Sequence, residues 1–243
     1  MRYVRPFGVE IELNGTGNKY NNDSREVRIL DRYGNYRLFD MPPGWNFTQD
    51  GSCGLEFISP PTSDDSVIEN FVCRLSNFLE FYSVNKNFKK TGLHIHVGAT
   101  DFSETDALNT ARFCRYFDRA IFALVSPNRI ANQFCRMIGW NDQRIAANIV
   151  KGGTRYKGCN AAAYYKHGTI EYRYPRGTLR KDRISAYIEV FVKITEFGKA
   201  FTGKDALKCK PNLQEKIKLL TELLELSSRT VSALNAPYKE GEE

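Results

Sequence analysis

Apolar and polar residues alternate along Phe7-Gly8-Val9-Glu10-Ile11-Glu12-Leu13, and a period of two predicts a strand. Phe7, Val9, Ile11 and Leu13 share a face suited to a core, while Gly8, Glu10 and Glu12 share the other. The same period returns at residues 55–59, 93–97 and 169–174. In each case the apolar face is matched by a face with chemistry: Glu56, then His94 and His96, then Thr169, Glu171 and Arg173.

Weaker alternation over residues 25–39 predicts a hairpin turning at Tyr33-Gly34-Asn35, and residues 45–48 predict a short strand. Residues 14–23 are rich in Gly and Asn and read as a surface loop. Helical spacing of Val67, Ile68, Phe71, Val72, Leu75 and Leu79 predicts a core-facing helix opened by Ser63-Asp64-Asp65. Ser103 reads as the N-cap of a helix to about Val125, and Ser126-Pro127 as the start of another. Arg129, Arg136 and Arg144 read as surface charges, with a reach to a phosphate as the alternative. Residues 161–165 lead to a tight turn at His167-Gly168, from which the strand 169–174 returns. Asp182 reads as the cap of a long helix, and residues 213–226 as a last amphipathic one. The tail 239–243 reads as disordered.

The chain has 243 residues and no stretch that reads as a linker, so one domain is expected. Thirty-five Lys and Arg against 28 Asp and Glu leave a net charge of +7, which points to an anionic ligand without choosing among nucleotide, carboxylate and nucleic acid. None of the six cysteines forms a Cys-x-x-Cys pair, which argues against a structural zinc site and for reduced thiols in a cytoplasmic protein. The first residues lack the apolar run of a signal peptide, and no run of about 18 apolar residues predicts a membrane span.

Glu10 and Glu12 stand about 7 Å apart on one strand face. Like charges that close repel unless a cation sits between them, and hard divalent cations take oxygen ligands. The plainer alternative is a solvated acidic face. Glu56 reads equally as a ligand or an exposed glutamate. His94 and His96 are two of only three histidines, and a neutral imidazole is a common metal ligand. Glu171 beside Arg173 pairs a ligand with a fixed cation, as phosphoryl transfer requires, or else forms an ion pair of little worth. No Ser-His-Asp or Cys-His arrangement is apparent, and Lys151-Gly152-Gly153-Thr154 lacks the spacing of a Walker loop.

The order of these motifs is specific: Glu10-x-Glu12, Asp50-x-Ser52 with Glu56-Phe57-x-Ser59-Pro60, Gly92-x-His94-x-His96, then Asn160 and Gly168-Thr169-x-Glu171-x-Arg173. Over roughly residues 7–178 the chain resembles the amidoligase family, carboxylate–amine ligases related to glutamine synthetase and glutamate–cysteine ligase. The resemblance implies an α+β fold, a curved antiparallel sheet with helices packed on its outer face, like the glutamine synthetase catalytic domain. Residues 1–243 would form one catalytic domain, with helices in 182–235 packed on it. The implied cofactors are ATP and Mg²⁺ or Mn²⁺, and the implied reaction makes an amide through an acyl phosphate. Carried across, Glu10, His94 and Glu171 would hold the metal that touches the ATP phosphates, and Glu12 and Glu56 would hold another. Arg173 would contact the transferred phosphoryl group. His96 would be a further ligand or a contact to substrate or nucleotide. Asp50, Ser52, Arg155 and Asn160 would contact substrate or phosphate. Small-molecule or peptide substrates are then the expected partners. A metal-dependent hydrolase or nuclease using the same Glu/His set is the alternative. A nucleic-acid binder ranks last, because the basic charges are dispersed and no binding motif appears.

Overall fold

The computed structural model describes residues 1–15, 17–19, 25–50, 54–84, 88, 91–139, 141–151, 154–202 and 211–237. In chain order, strands β1 (Arg2–Leu13), β2 (Gly17–Lys19), β3 (Glu26–Leu30), β4 (Tyr36–Asp40), β5 (Asn46–Asp50), β6 (Gly54–Ile58) and β7 (Thr62–Asp64) precede helix α1 (Asp65–Phe81). Then come β8 (Leu93–Gly98), α2 (Glu104–Val125), a 3-10 turn at Pro127–Arg129, α3 (Asp142–Lys151), β9 (Cys159–Asn160), α4 (Ala163–His167) and β10 (Thr169–Tyr172). Helices α5 (Lys181–Lys199), α6 (Leu213–Leu224) and α7 (Ser228–Asn235) follow.

The fold is α+β. The main sheet runs β5-β6-β1-β8-β10-β9, with β7 beside the first half of β1, and every pairing in it is antiparallel. A second sheet, β2-β3-β4, contains the expected hairpin. One face of the main sheet is apolar throughout: Ile11, Leu13, Phe57, Leu93, Ile95, Ile170 and Tyr172 are all fully buried. Helix α5 packs against β1 and β8 on this face, and α1, α2, α6 and α7 pack against α5. Tyr172 stacks on Phe191 of α5 at 4.5 Å between ring centres.

Local capping follows the sequence where short-range chemistry decides. Asp64 caps α1 by accepting from the Ser66 amide, and Ser103 and Asp106 form a reciprocal capping box at α2. Other expectations are corrected. Residues 161–165 are no strand: Ala163–His167 is a short helix, and Gly168 at φ +64° is its left-handed cap rather than a hairpin turn. Residues 17–19 of the expected loop form β2. Helix α5 starts at Lys181 after Arg180, so Asp182 lies inside its first turn. The last predicted helix ends at Leu224, with Glu225 in the left-handed region, and α7 follows as a separate element. Pro127 opens only a 3-10 turn. Cys114, Cys135 and Cys159 are buried free thiols and Cys73 is an exposed one. The tail 239–243, with Cys53 and Cys209, lies outside the described residues. Among the described residues no helix is long and apolar enough to cross a membrane.

Candidate metal centre

Register brings the polar face together. Glu10 lies opposite His94, Gly8 opposite His96, Glu12 opposite Glu56, Glu171 opposite His96, and Glu171 also opposite Asn160. Directly opposed residues point to the same side of a sheet. Thus Glu10 and Glu12 of β1, Glu56 of β6, His94 and His96 of β8, Asn160 of β9 and Glu171 of β10 share the face turned away from α5.

His94 is the hub. Its Nδ1 is 2.8 Å from Glu10 Oε2, 3.4 Å from Arg173 Nη1 and 3.8 Å from Glu171 Oε1. Its Nε2 is 3.3 Å from Glu12 Oε1. His96 Nε2 is 3.2 Å from Glu10 Oε1, and its Nδ1 meets Thr169 Oγ1 at 3.1 Å. Arg173 donates to Glu171 at 2.5 Å and to the Phe134 carbonyl at 3.1 Å. Asn160 donates to the other Glu171 oxygen at 2.5 Å. His94, Glu171, Arg173 and Asn160 are all buried.

Burial alone would raise the pKa of Glu10, but its bonds to His94 and His96 and their charges hold it well below the usual carboxylate range. Glu171 follows the same logic. Its burial is outweighed by His94, Arg173 and His96, against the opposing charge of Glu10. Burial disfavours the charged form of His96, yet Glu10 and Glu171 raise its pKa. Burial and the neighbouring His96 lower that of His167.

Among the described residues, two overlapping groups offer ligand atoms within 4.8 Å of one another: Glu10, His94 and Glu171, and Glu12, Glu56 and His94. Mixed carboxylate and imidazole donors suit Mg²⁺, Mn²⁺ or Zn²⁺. Two further features fit a cation. Asn160 Oδ1 is buried with no hydrogen-bond partner among the described residues. Gly92 leaves a cradle that a Cβ would fill, 3.0 Å from His94 Nε2 and 3.2 Å from both Glu12 Oε2 and Arg129 Nη2. The Gly92 amide itself donates to Glu12 Oε2 at 2.5 Å.

Arg129 is one residue that the surface-charge reading misplaced. It is buried rather than a surface charge, and it donates to the Thr91 carbonyl. The turn after α2 folds it back against Thr91 and Gly92, just ahead of β8, and no local pattern signals that. Arg155 does not join the cluster. It is exposed, with its guanidinium 5.6 Å from the ring centre of Tyr156. Ser52 and the side chain of Asp50 lie outside the described residues. His167 ends α4 with its ring 6.4 Å from that of His96. Both line a cavity of about 450 Å³ that reaches Glu10 past Phe7, Gly8 and Ile58.

Comparison with known families bears on the C-terminal part of this face. Residues 136–195 match the family model described as "Putative amidoligase enzyme", so the resemblance read from the motifs holds over the stretch that carries Asn160, Glu171 and Arg173. No curated protein matches the sequence. Among solved structures, the chain is similar to a bifunctional glutathione synthetase from Pasteurella multocida at 10% identity and a TM-score of 0.48. That similarity covers 95% of this chain but only 46% of the synthetase, so the chain spans less than half of its length.

Proposed function

We propose that the chain is an ATP-dependent carboxylate–amine ligase that forms an amide or peptide bond through an acyl phosphate. One observation carries the reading: Glu10, Glu12, Glu56, His94 and Glu171, drawn from four strands far apart in sequence, converge on one sheet face within reach of common cations. The family match over residues 136–195 supports it. In this reading the sheet and its helices form one catalytic domain over residues 1–243, of the glutamine synthetase type, working in the cytoplasm.

Glu10, His94 and Glu171 would hold one Mg²⁺ or Mn²⁺, and Glu12, Glu56 and His94 a second. Such ions supply charge neutralisation for phosphate oxygens. The chain's own residues do the rest. Asn160 and Arg173 fix the two oxygens of Glu171. Arg173, anchored on the Phe134 carbonyl, faces the charge that develops on the transferred phosphoryl group. Arg129 adds a second guanidinium beside Glu12 and His94. The cavity past Phe7 and Ile58 takes the acceptor, with His96 and Thr169 at its polar end. A carboxylate oxygen attacks the terminal phosphorus as the bond to ADP breaks, and an amine then displaces phosphate from the acyl carbon.

The test is release of ADP and phosphate with Mg²⁺ when amino acids or peptides are supplied with an amine. Glu10→Gln and Arg173→Ala remove that turnover. Wild-type rates in both variants would overturn the assignment of these residues, and metal-dependent cleavage without ATP would overturn the reading in favour of a hydrolase.

A further inference from the structure

A second cavity, of about 400 Å³, is lined in part by Phe134, the residue whose carbonyl anchors Arg173. Its lining brings together Arg136, Arg144 and Lys157 from three separate stretches, and among the described residues none that lines it is acidic. Phe134 and Tyr156 form its apolar wall, packed edge to face at 5.6 Å between ring centres. Gln133 and Thr154 add neutral polar groups. From these placements the geometry points to a site for a multiply charged oxyanion, distinct from the Glu/His centre.

Three features make this more than a basic surface. First, the frame is built. Arg136 pairs through its backbone with residues 156–158, donating to the Tyr156 carbonyl at 3.1 Å and accepting from the Gly158 amide at 2.9 Å. Arg136 and Lys157 are therefore held side by side. Asp142, at the start of α3, is tied to Arg112 and Arg115 of α2, which fixes the helix that carries Arg144. Second, the cations feel one another. Burial lowers the pKa of Lys157, Asp118 opposes this, and Arg136 and Arg144 lower it further. A bound anion would gain from all three charges, while the Lys157 ammonium stays anchored on the Met137 carbonyl at 2.8 Å. Third, the position is connected. Phe134 lines this cavity while its carbonyl accepts from Arg173. Phe134 thus links this cavity to Arg173 of the candidate centre.

The shared chemistry is clustered oxyanions, and it has two sources. One is the phosphate chain of a nucleotide, and the other is a small substrate with several carboxylates. Calorimetry on the full chain in EDTA, so that the Glu/His centre holds no metal, tests this with two probes. Inorganic tripolyphosphate stands for the first source and citrate for the second. The expected result is saturable binding of at least one probe. It should weaken at least fivefold in the Arg136→Ala/Arg144→Ala double variant and survive in the Arg136→Lys/Arg144→Lys pair. The tighter probe names the source. Both arginines are exposed, so the substitutions leave the core intact, and a melting curve checks this. Failure of both probes to saturate, or less than fivefold loss in the alanine pair, would overturn the proposal. Neither result depends on whether the chain is a ligase.

Discussion

The two faces of the main sheet share the same strands yet obey opposite economies. On the helix side, Phe57, Ile11, Ile95 and Tyr172 bury their whole surfaces, and every such contact favours folding. On the other side, Glu10, Glu12, His94 and Glu171 crowd charge into a space largely closed to water. Burying charge costs free energy unless it is paired. The apolar face therefore holds the sheet, and the polar face draws on that stability to keep its charged groups together.

The sharpest way to break this contrast is to remove one residue from each face. Phe57→Ala deletes a fully buried ring that packs against Phe39, Phe47 and Phe71. A loss of about 3–5 kcal/mol is expected in urea unfolding. Glu10→Gln on the adjoining strand should leave stability within about 1–2 kcal/mol. It should lower the proposed ligase turnover about 100- to 1,000-fold, or roughly 3–4 kcal/mol of barrier. If Glu10→Gln unfolds the chain as severely as Phe57→Ala, the polar face is structural and the division fails.

The sequence showed both faces because strand alternation is a local signal and register carries it across the sheet. Once Glu10, Glu56, His94 and Glu171 each lay opposite an apolar face, antiparallel pairing had to gather them. What stayed hidden rests on contacts between distant stretches or on ambiguous signals. Arg129 is buried by reaching back 38 positions to Thr91, which no window on the sequence contains. Gly168 serves equally as a hairpin turn or a helix cap, since both need the left-handed backbone, and packing chose the cap. The break between α6 and α7 falls at Glu225, a left-handed residue with no Gly or Pro to announce it.

A finer probe of the polar face is its smallest residue. Gly92 has no left-handed backbone to preserve, so Gly92→Ala tests space alone. The added Cβ would press on His94 Nε2, Glu12 Oε2 and Arg129 Nη2 at 3.0–3.2 Å. Affinity for Mn²⁺ should fall roughly 10- to 100-fold, as when groups that orient ligands are disturbed. Titration calorimetry measures it. Unchanged Mn²⁺ affinity would mean that the cradle is not part of a metal site.

The smallest effect separates two kinds of buried carboxylate. Glu171 is held below the usual range by imidazole and guanidinium neighbours. Asp118 on α2 is also buried, but it accepts from the Ile138 amide at 2.5 Å and the Tyr174 hydroxyl at 2.9 Å, and among the described residues the charge that favours its ionised form is that of Lys157. Burial wins there and raises its pKa from 3.8 to about 6. A carboxylate with a raised folded-state pKa binds its proton more tightly in the native chain than in the unfolded one. Its contribution is therefore full below the unfolded value near 3.8 and is lost as pH rises through about 6. Asp118→Asn cannot ionise, and its amide can still accept from Ile138 and donate to Tyr174. Unfolding free energy measured at pH 4 and pH 7 should give the variant an advantage at pH 7 of about 1–2 kcal/mol relative to its standing at pH 4. An advantage that grows toward acid pH would mean that Asp118 is ionised and paired like Glu171, and the contrast between the two carboxylates would collapse.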